Sequence, residues 1–392
     1  MAQSPGAPQV PFFRDPKLRA IIYQVVLCVV LASLVFAAVR NAAENLERAR
    51  IASGFGFWNT IAGFDISQTL IEYSAQSSTF GRAFWVGLTN TLLVAGLGII
   101  LATVLGTAIG VARLSKNFLV ERLASGYVEL IRNVPLLLQL LFWYNAVLKA
   151  LPDFANGFAI PGGVLLNNRG LYLPRPLGID GWHVAGVIAL AVALGFAFNA
   201  LAARSAGPLR MLGLRFAATL VIVVGIPVLA LIAMGAPLEF EYPKASRFNV
   251  NGGVEILPEF VALLVGLVIY TAAFIAEVVR AGLMSVSRGQ TEAAHALGLG
   301  RFQTLRYITM PQAMRVIIPP LTNQYLNLTK NSSLAVAIGY PDLVQIFTGT
   351  VLNITGQAIE VVVITMAVYL TFSLVTSFAM NLYNARVALV ER

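Results

Sequence analysis

From Phe84 to Ala112 the chain carries no charged residue, a run long enough to cross the ~30 Å hydrocarbon core of a bilayer as one helix. Comparable runs cover Ile21–Val39, Tyr127–Leu148, Val184–Leu201, Phe216–Met234 and Phe260–Val279. A seventh passes through Ile317, Leu321 and Leu328 to Ile338, and an eighth extends from Ile359 to Leu382. Hydrocarbon offers the backbone no hydrogen-bond partner, so only structures that satisfy every N–H and C=O internally persist there. The chain is therefore expected to be an all-α integral membrane protein of about eight transmembrane helices.

Charge then sets direction. Only 11% of the 392 residues are charged and mean hydropathy is +0.77, which leaves no room for a soluble domain of any size. The net charge of +9 is dispersed between apolar runs, without the clustered basic and aromatic surface that nucleic acid requires, so no nucleic-acid partner is expected. Loops on the side that holds both termini carry 16 Lys and Arg against 9 on the other, which predicts a multi-pass membrane protein with both termini cytoplasmic. The first run is longer than the apolar core of a leader peptide and Arg40 follows it at once, so a retained helix is expected. Cys28 has no partner cysteine, and His183 and His295 lie too far apart to suggest a metal site.

Four regions follow. Residues 1–83 hold a cytoplasmic tail, the first helix and an external segment whose Phe55, Phe57, Trp58 and Phe64 suit either an elbow on the membrane surface or a small external subdomain. Residues 84–148 hold helices two and three; Gly106 and Gly110 stand at the spacing that lets helices approach closely. Residues 149–258 hold helices four and five and two external loops, of which Leu151–Trp182 is Gly- and Pro-rich and expected to be irregular. Residues 259–392 hold helices six to eight, with a polar loop at 285–311.

That loop is a polar and basic stretch set between two of the most apolar runs. Ser287 with Gln290 has the form of a capping box, and Glu292, Ala293, Ala294, Ala296 and Leu297 favour helix. Gly298 suits a left-handed helix end, and a second helical run is expected from Arg301 towards Pro311. Ala293, Ala294 and Leu297 would then form an apolar knob ringed by Glu292, Arg301 and Arg306, a shape for a groove on another protein.

Glu292-Ala293-Ala294, then Gly298, Ile308 and Met310-Pro311, resembles the EAA loop of binding-protein-dependent ABC importers, with Met where Leu is commoner. The flanks AEVVRAGLMSVSRGQ and PQAMRVIIPPLTNQYLNLTKNSSL, and VELIRNVPLLLQLLFWY at Val128–Tyr144, are similar to polar amino acid permeases of the histidine, glutamine and arginine group. The resemblance implies a five-helix type I importer core made of runs two, three, six, seven and eight. The first run and the inserted fourth and fifth are similar to the longer, Q-type permease subunits of general L-amino acid importers. It further implies a transporter subunit and no enzyme, importing polar L-amino acids from periplasm to cytoplasm by alternating access. The implied partners are a second homologous permease in a heterodimer, a dimer of ATP-binding subunits that holds ATP and Mg, and a periplasmic amino-acid-binding protein. Consistent with a separate ATPase, no G-x-x-x-x-G-K-[ST] occurs in this chain, which is expected to hold no cofactor itself. Glu292, Ala293, Ala294, Leu297, Gly298 and Arg301 are the residues the resemblance places against that ATPase.

For the substrate path, polar groups inside apolar runs are informative because hydrocarbon penalises them. Gln139 lies in the third run, and Lys330, Asn331, Ser332 and Ser333 interrupt the seventh, as a locally unwound helix would. Lys330 or the serines suit a substrate carboxylate and Glu277 its ammonium; helix–helix hydrogen bonding is the competing role for Gln139 and the serines. Glu277 with Arg280, and Glu129 with Arg132, are each spaced as an ion pair one turn apart. An ion- or proton-coupled secondary carrier would also use intramembrane charges, but predicts whole-bundle repeats that are not seen. A membrane hydrolase would need a motif such as GxSxG or HExxH, and neither occurs.

Overall fold

The computed structural model describes residues 16–48, 53–177, 218–219, 221–233, 240–246 and 250–387, with short helical pieces between 186 and 198. In chain order the helices are α1 (Pro16–Arg48), α2 (Phe80–Ala112), α3 (Phe118–Asn133), α4 (Leu136–Leu141), α5 (Ile226–Ala233), α6 (Pro258–Met284), α7 (Arg288–Ala296), α8 (Arg301–Thr304), α9 (Met310–Asn331), α10 (Leu352–Thr355) and α11 (Ala358–Val387). Among the described residues four helical stretches are long and apolar enough to cross a membrane: Arg19–Asn41, Phe80–Ala112, Pro258–Met284 and Ala358–Leu382. The expected fourth span and the loop with Arg204, Arg210 and Arg215 fall mostly outside the described residues, as do the chain ends.

The third run is not one helix. It begins earlier, at Phe118, where the Asn117 side chain accepts from the backbone N–H groups of Leu119 and Val120, and it stops at Asn133. Val134 is extended because the Pro135 ring excludes the helical conformation from the residue before it. The chain restarts as α4 and widens into a π-helical turn over Phe142–Leu148. The seventh run continues unbroken to Asn331, tightens to a 3-10 helix over Ser332–Ile338 and ends at Gly339 with φ +78°. A further helical segment, a π-helix at Gln345–Val351 leading into α10, occupies what the sequence pattern leaves as a connection. It is too short and too rich in Thr and Gly to register as a spanning run.

Contacts divide the chain into two compact units, residues 1–96 with 284–392, and residues 97–283. In the second unit, the end of α2 lies directly on α6. A Cβ added at Gly106 would sit 2.8 Å from the Ala272 carbonyl oxygen, and one at Gly110 would sit 2.7 Å from that of Ala276. Only glycine permits backbones this close, so the Gly106/Gly110 spacing acts as expected. Val128 of α3 fills the space beside Ala273 and Ala276, and the Tyr127 hydroxyl donates to the Ile269 carbonyl at 2.7 Å.

The described part of the Leu151–Trp182 stretch, residues 151–177, is not irregular. Its Phe158–Ile160 (β1), Val164–Asn167 (β2) and Gly170–Leu173 (β3) form an antiparallel sheet whose fourth strand, Val254–Ile256 (called β8), arrives from the far side of the insertion. Arg175–Pro176 (β4) pairs with Phe240–Glu241 (β5), and Lys244–Ala245 (β6) with Val250–Asn251 (β7). The glycines mark tight turns: Gly162 and Gly163, with φ of 94° and 77°, reverse the chain between β1 and β2. Tyr172 on β3 donates to Glu255 at 3.0 Å, and burial together with that carboxylate pushes the phenol up to about 12.

In the first unit the aromatic segment before α2 turns inward. Phe57 is buried, Trp58 packs on Phe84 and Phe347, and Phe64 on Tyr73 and Phe80. The loop Gly339–Leu343 is pinned to α2: Asn90 donates to the carbonyls of Gln68 and Pro341 at 2.9 and 2.8 Å, and Thr91 accepts from the Leu343 N–H at 3.0 Å. Gly87 allows this approach, since a Cβ there would meet the Leu343 Cα at 2.9 Å.

Because α6 cannot retreat from α2 without unpacking Ile275 and Val279, Gly106→Leu should cost about 1–3 kcal/mol by overpacking. The expected result is a lower thermal unfolding midpoint and reduced membrane abundance, read by fluorescence-detected size exclusion after heating. An unchanged midpoint would show that the α2–α6 contact is dispensable.

Candidate functional site

The 285–311 loop is a helical hairpin with an exposed tip. Ser287 stands at the start of α7 but makes no side-chain cap, so the expected capping box is not formed there. The comparable bond occurs one helix later, where the Gly300 N–H donates to Gln303 Oε1 at 2.8 Å and starts α8. At the end of α7, Gly298 takes φ +77°, its N–H reaching the His295 carbonyl at 2.9 Å and the Leu299 N–H reaching that of Ala294 at 3.0 Å. These paired bonds satisfy carbonyls that a bare helix end would leave open, and they need a left-handed residue at position 298. The second helical run does not stop at Pro311. After a π-helical turn at Leu305–Thr309 it becomes α9, with Pro311 in its first turn, where a missing N–H costs nothing.

The expected apolar knob is divided between inside and outside. Ala294 is buried against the chain, whereas Ala293, Glu292 and Arg301 are exposed and Leu297 is 82% exposed at the tip. Phe302, 59% exposed, adds an apolar neighbour that the sequence pattern does not single out. A large aliphatic side chain held in water by a rigid turn costs solvation energy unless another surface covers it.

The interrupting polar residues of the seventh run part company. Ser332 is fully buried and donates to the Thr329 carbonyl at 2.8 Å; Ser333 donates to the Lys330 carbonyl at 2.7 Å. Both hydroxyls therefore satisfy helix carbonyls. Asn331 is half-buried, and Lys330 is exposed. Lys330 and Ser333 line a groove of about 520 Å³ with Val344, Thr365, Met366 and Tyr369 among its walls. One cationic head beside apolar and hydroxyl surface can hold a carboxylate while the remaining side chain rests on Met366 and Leu370.

Gln139 and Glu277 lie in the other unit. Gln139 is buried, and its amide donates to the carbonyls of Ile131 and Val134, each at 2.9 Å. Those are carbonyls freed by the break at Pro135, so the side chain bridges α3 and α4 across it. Among the described residues its Oε1 has no hydrogen-bond partner. Glu277 is engaged by three guanidinium groups: Arg280 reaches Oε1 at 2.7 Å, Arg113 bonds Oε2, and Arg132 stands 3.8 Å from Oε2. The Glu277–Arg280 pair is as expected. Arg132, expected beside Glu129 on its own helix, turns to Glu277 instead. Arg113 escapes the sequence pattern because a basic residue just beyond an apolar run reads as a topology charge.

With its carboxylate spread over three cations, Glu277 acts first as the counter-ion of this cluster. Glu277→Gln should leave the guanidiniums uncompensated and destabilise the fold by about 1–3 kcal/mol, between the scales of exposed and buried pairs because the cluster is only partly buried. A lower unfolding midpoint is the expected observation. A stable variant with a selective loss of substrate affinity would instead make Glu277 a ligand group.

Residues 207–389 match the family described as "Binding-protein-dependent transport system inner membrane component". The chain is 48% identical over 384 residues to the putative amino-acid ABC transporter permease protein YhdX of Escherichia coli K12, with 97% of each chain covered. It is 48% identical over 390 residues to the general L-amino acid transport system permease protein AapQ of Rhizobium johnstonii, covering 96% of this chain and 94% of the relative. Identity to the glutamate/glutamine/aspartate/asparagine transport system permease protein BztB of Rhodobacter capsulatus is 43% over 413 residues, with 96% of each covered. Broken and continuous apolar helices, a polar helical hairpin and 43–48% identity over nearly the full length of three such proteins converge: this chain belongs to the amino-acid ABC transporter permeases, as the membrane-spanning subunit of an importer.

Proposed function

We propose that the chain carries polar L-amino acids from periplasm to cytoplasm, with the 285–311 hairpin as the seat of an ATPase subunit and the Lys330 groove as part of the path. The observation that carries the first assignment is the exposed Leu297 on a turn held by Gly298. Leu297 and Ala293 enter a cleft on the ATPase, Glu292 and Arg301 make polar contacts at its rim, and Gly298 lets the tip approach closely. ATP and Mg reside on that partner. A second, homologous permease completes a heterodimer, a periplasmic binding protein delivers the amino acid, and both termini face the cytoplasm. The hairpin continues directly into α9, which ends at Lys330 and Asn331 and packs against α11. Closure of the ATPase thus moves one wall of the groove.

Leu297→Asp and Gly298→Asp should both leave membrane insertion intact and cut ATP-driven uptake by about tenfold or more, since a desolvated contact at an interface centre is lost. Uptake into proteoliposomes containing the whole complex is the measurement, with ATP hydrolysis followed in parallel. Normal coupled uptake by both variants would remove the docking assignment. Wild-type uptake should be abolished by vanadate and survive a protonophore; the opposite pattern would favour an ion-coupled carrier.

For the groove, Lys330→Met should raise the apparent KM about tenfold, as expected for losing one charge-assisted hydrogen bond. Unchanged affinity in the same proteoliposomes would take Lys330 out of the path.

A further inference from the structure

We infer that Glu129, Arg132 and Asn133 form a binding station for the zwitterionic head of an amino acid, separate from the Lys330 groove and shaped by the Arg113–Glu277–Arg280 cluster behind it. The inference rests on the amino-acid substrate proposed above and adds a place where that substrate is held.

These residues line a cavity of about 470 Å³ together with Arg113, Val128, Phe274, Glu277 and Arg280. The deeper charges are already spent. Glu277 takes a hydrogen bond from Arg280 on one oxygen and from Arg113 on the other, and Arg113 also donates to Ser125 at 3.3 Å. Arg132 is different. Its guanidinium lies over the Phe274 ring, 5.1 Å from the centroid, and 3.8 Å from Glu277, beyond hydrogen-bond reach. Stacking fixes the plane of the fork while its donors stay available, which is the state of an arginine ready to grip a carboxylate through two parallel bonds.

Glu129 is the complementary group. Spacing on α3 would pair it with Arg132, yet Arg132 turns to Glu277, and among the described residues Glu129 forms no ion pair. Its exposed carboxylate stands at the cavity wall as an acceptor for an ammonium. Asn133 donates to the Glu129 carbonyl at 2.8 Å and keeps its own oxygen as a second acceptor. One cationic fork and one carboxylate on the same helix match a molecule with one anionic and one cationic end. A phosphate, free or on a lipid, would meet Glu129 at the same wall and be repelled.

The test uses the purified complex of both permease subunits and the ATPase, without the binding protein and in the Lys330→Met background, so that the groove contributes little. Equilibrium dialysis with radiolabelled L-glutamine and L-glutamate should give saturable binding. Arg132→Met and Glu129→Gln should each weaken it about tenfold, the loss of one charge-assisted bond. Arg132→Lys should recover only part, because it keeps the charge and loses the fork. N-acetyl-L-glutamine, which lacks the ammonium, should compete poorly. Absence of saturable binding, wild-type binding by Arg132→Met and Glu129→Gln, or displacement by inorganic phosphate or phosphatidylglycerol vesicles as effective as by glutamine, would each overturn the station. Uptake by the wild-type complex with its binding protein separates the two levels. If amino acids are imported while the binding results fail, only the station is lost; if none is imported, the substrate assignment itself is lost.

Discussion

Backbone contact through glycine is the constraint on which the described structure depends. Between lipid-facing helices there is no hydrophobic driving force, so association relies on close van der Waals contact and on hydrogen bonds that become available when backbones touch. Helix α2 uses this at both ends. Gly87 admits the backbone of Leu343, and Gly106 and Gly110 admit that of α6. The first contact lets Asn90 and Thr91 reach the loop at Gly339–Leu343, and the second brings Ala272 and Ala276 of α6 against α2. A larger side chain at any of the three positions would hold the surfaces apart and strand polar groups that have no water to turn to.

Many polar residues in the apolar segments are engaged within the chain, and only the remainder is available for a ligand. Gln139 caps the carbonyls released at Pro135, Ser332 and Ser333 return their hydroxyls to their own helix, and Glu277 neutralises Arg113 and Arg280. Lys330, Glu129 and Arg132 are among those left over. That remainder is small, as expected where each unsatisfied group costs several kcal/mol. It also explains why a list of intramembrane polar residues overstates a binding site.

The hairpin joins these regions along the chain. It begins where α6 ends, four residues after Arg280, and continues into α9, whose last turn carries Lys330. A partner ATPase and a substrate-binding protein belong to the way such permeases work, and a rigid tip fits that use better than a flexible loop. The Gly298 turn is bonded on both sides, its own N–H to the His295 carbonyl and the Leu299 N–H to that of Ala294.

Several features were legible in the sequence because they are local. Apolar run length identifies α1, α2, α6 and α11, Gly298 announces its left-handed turn, and Gly106 with Gly110 announces close contact. Where the pattern misled, a second element was involved. Pro135 broke a run that hydropathy carries through, the Gly-rich Leu151–Trp182 stretch found its sheet partner in Val254–Ile256 about eighty residues on, and the Gln345–Thr355 helices are stable only as part of a packed core. Charge pairing was the hardest to see. Hydropathy and spacing alone determined that this chain crosses a membrane, with a polar helical hairpin between two spans, because those depend on residues near one another in sequence. Which carboxylate each arginine meets depends on distances across helices, so only the tertiary structure decided that Arg113 bonds Glu277 and Arg132 leans towards it, while among the described residues Glu129 forms no ion pair.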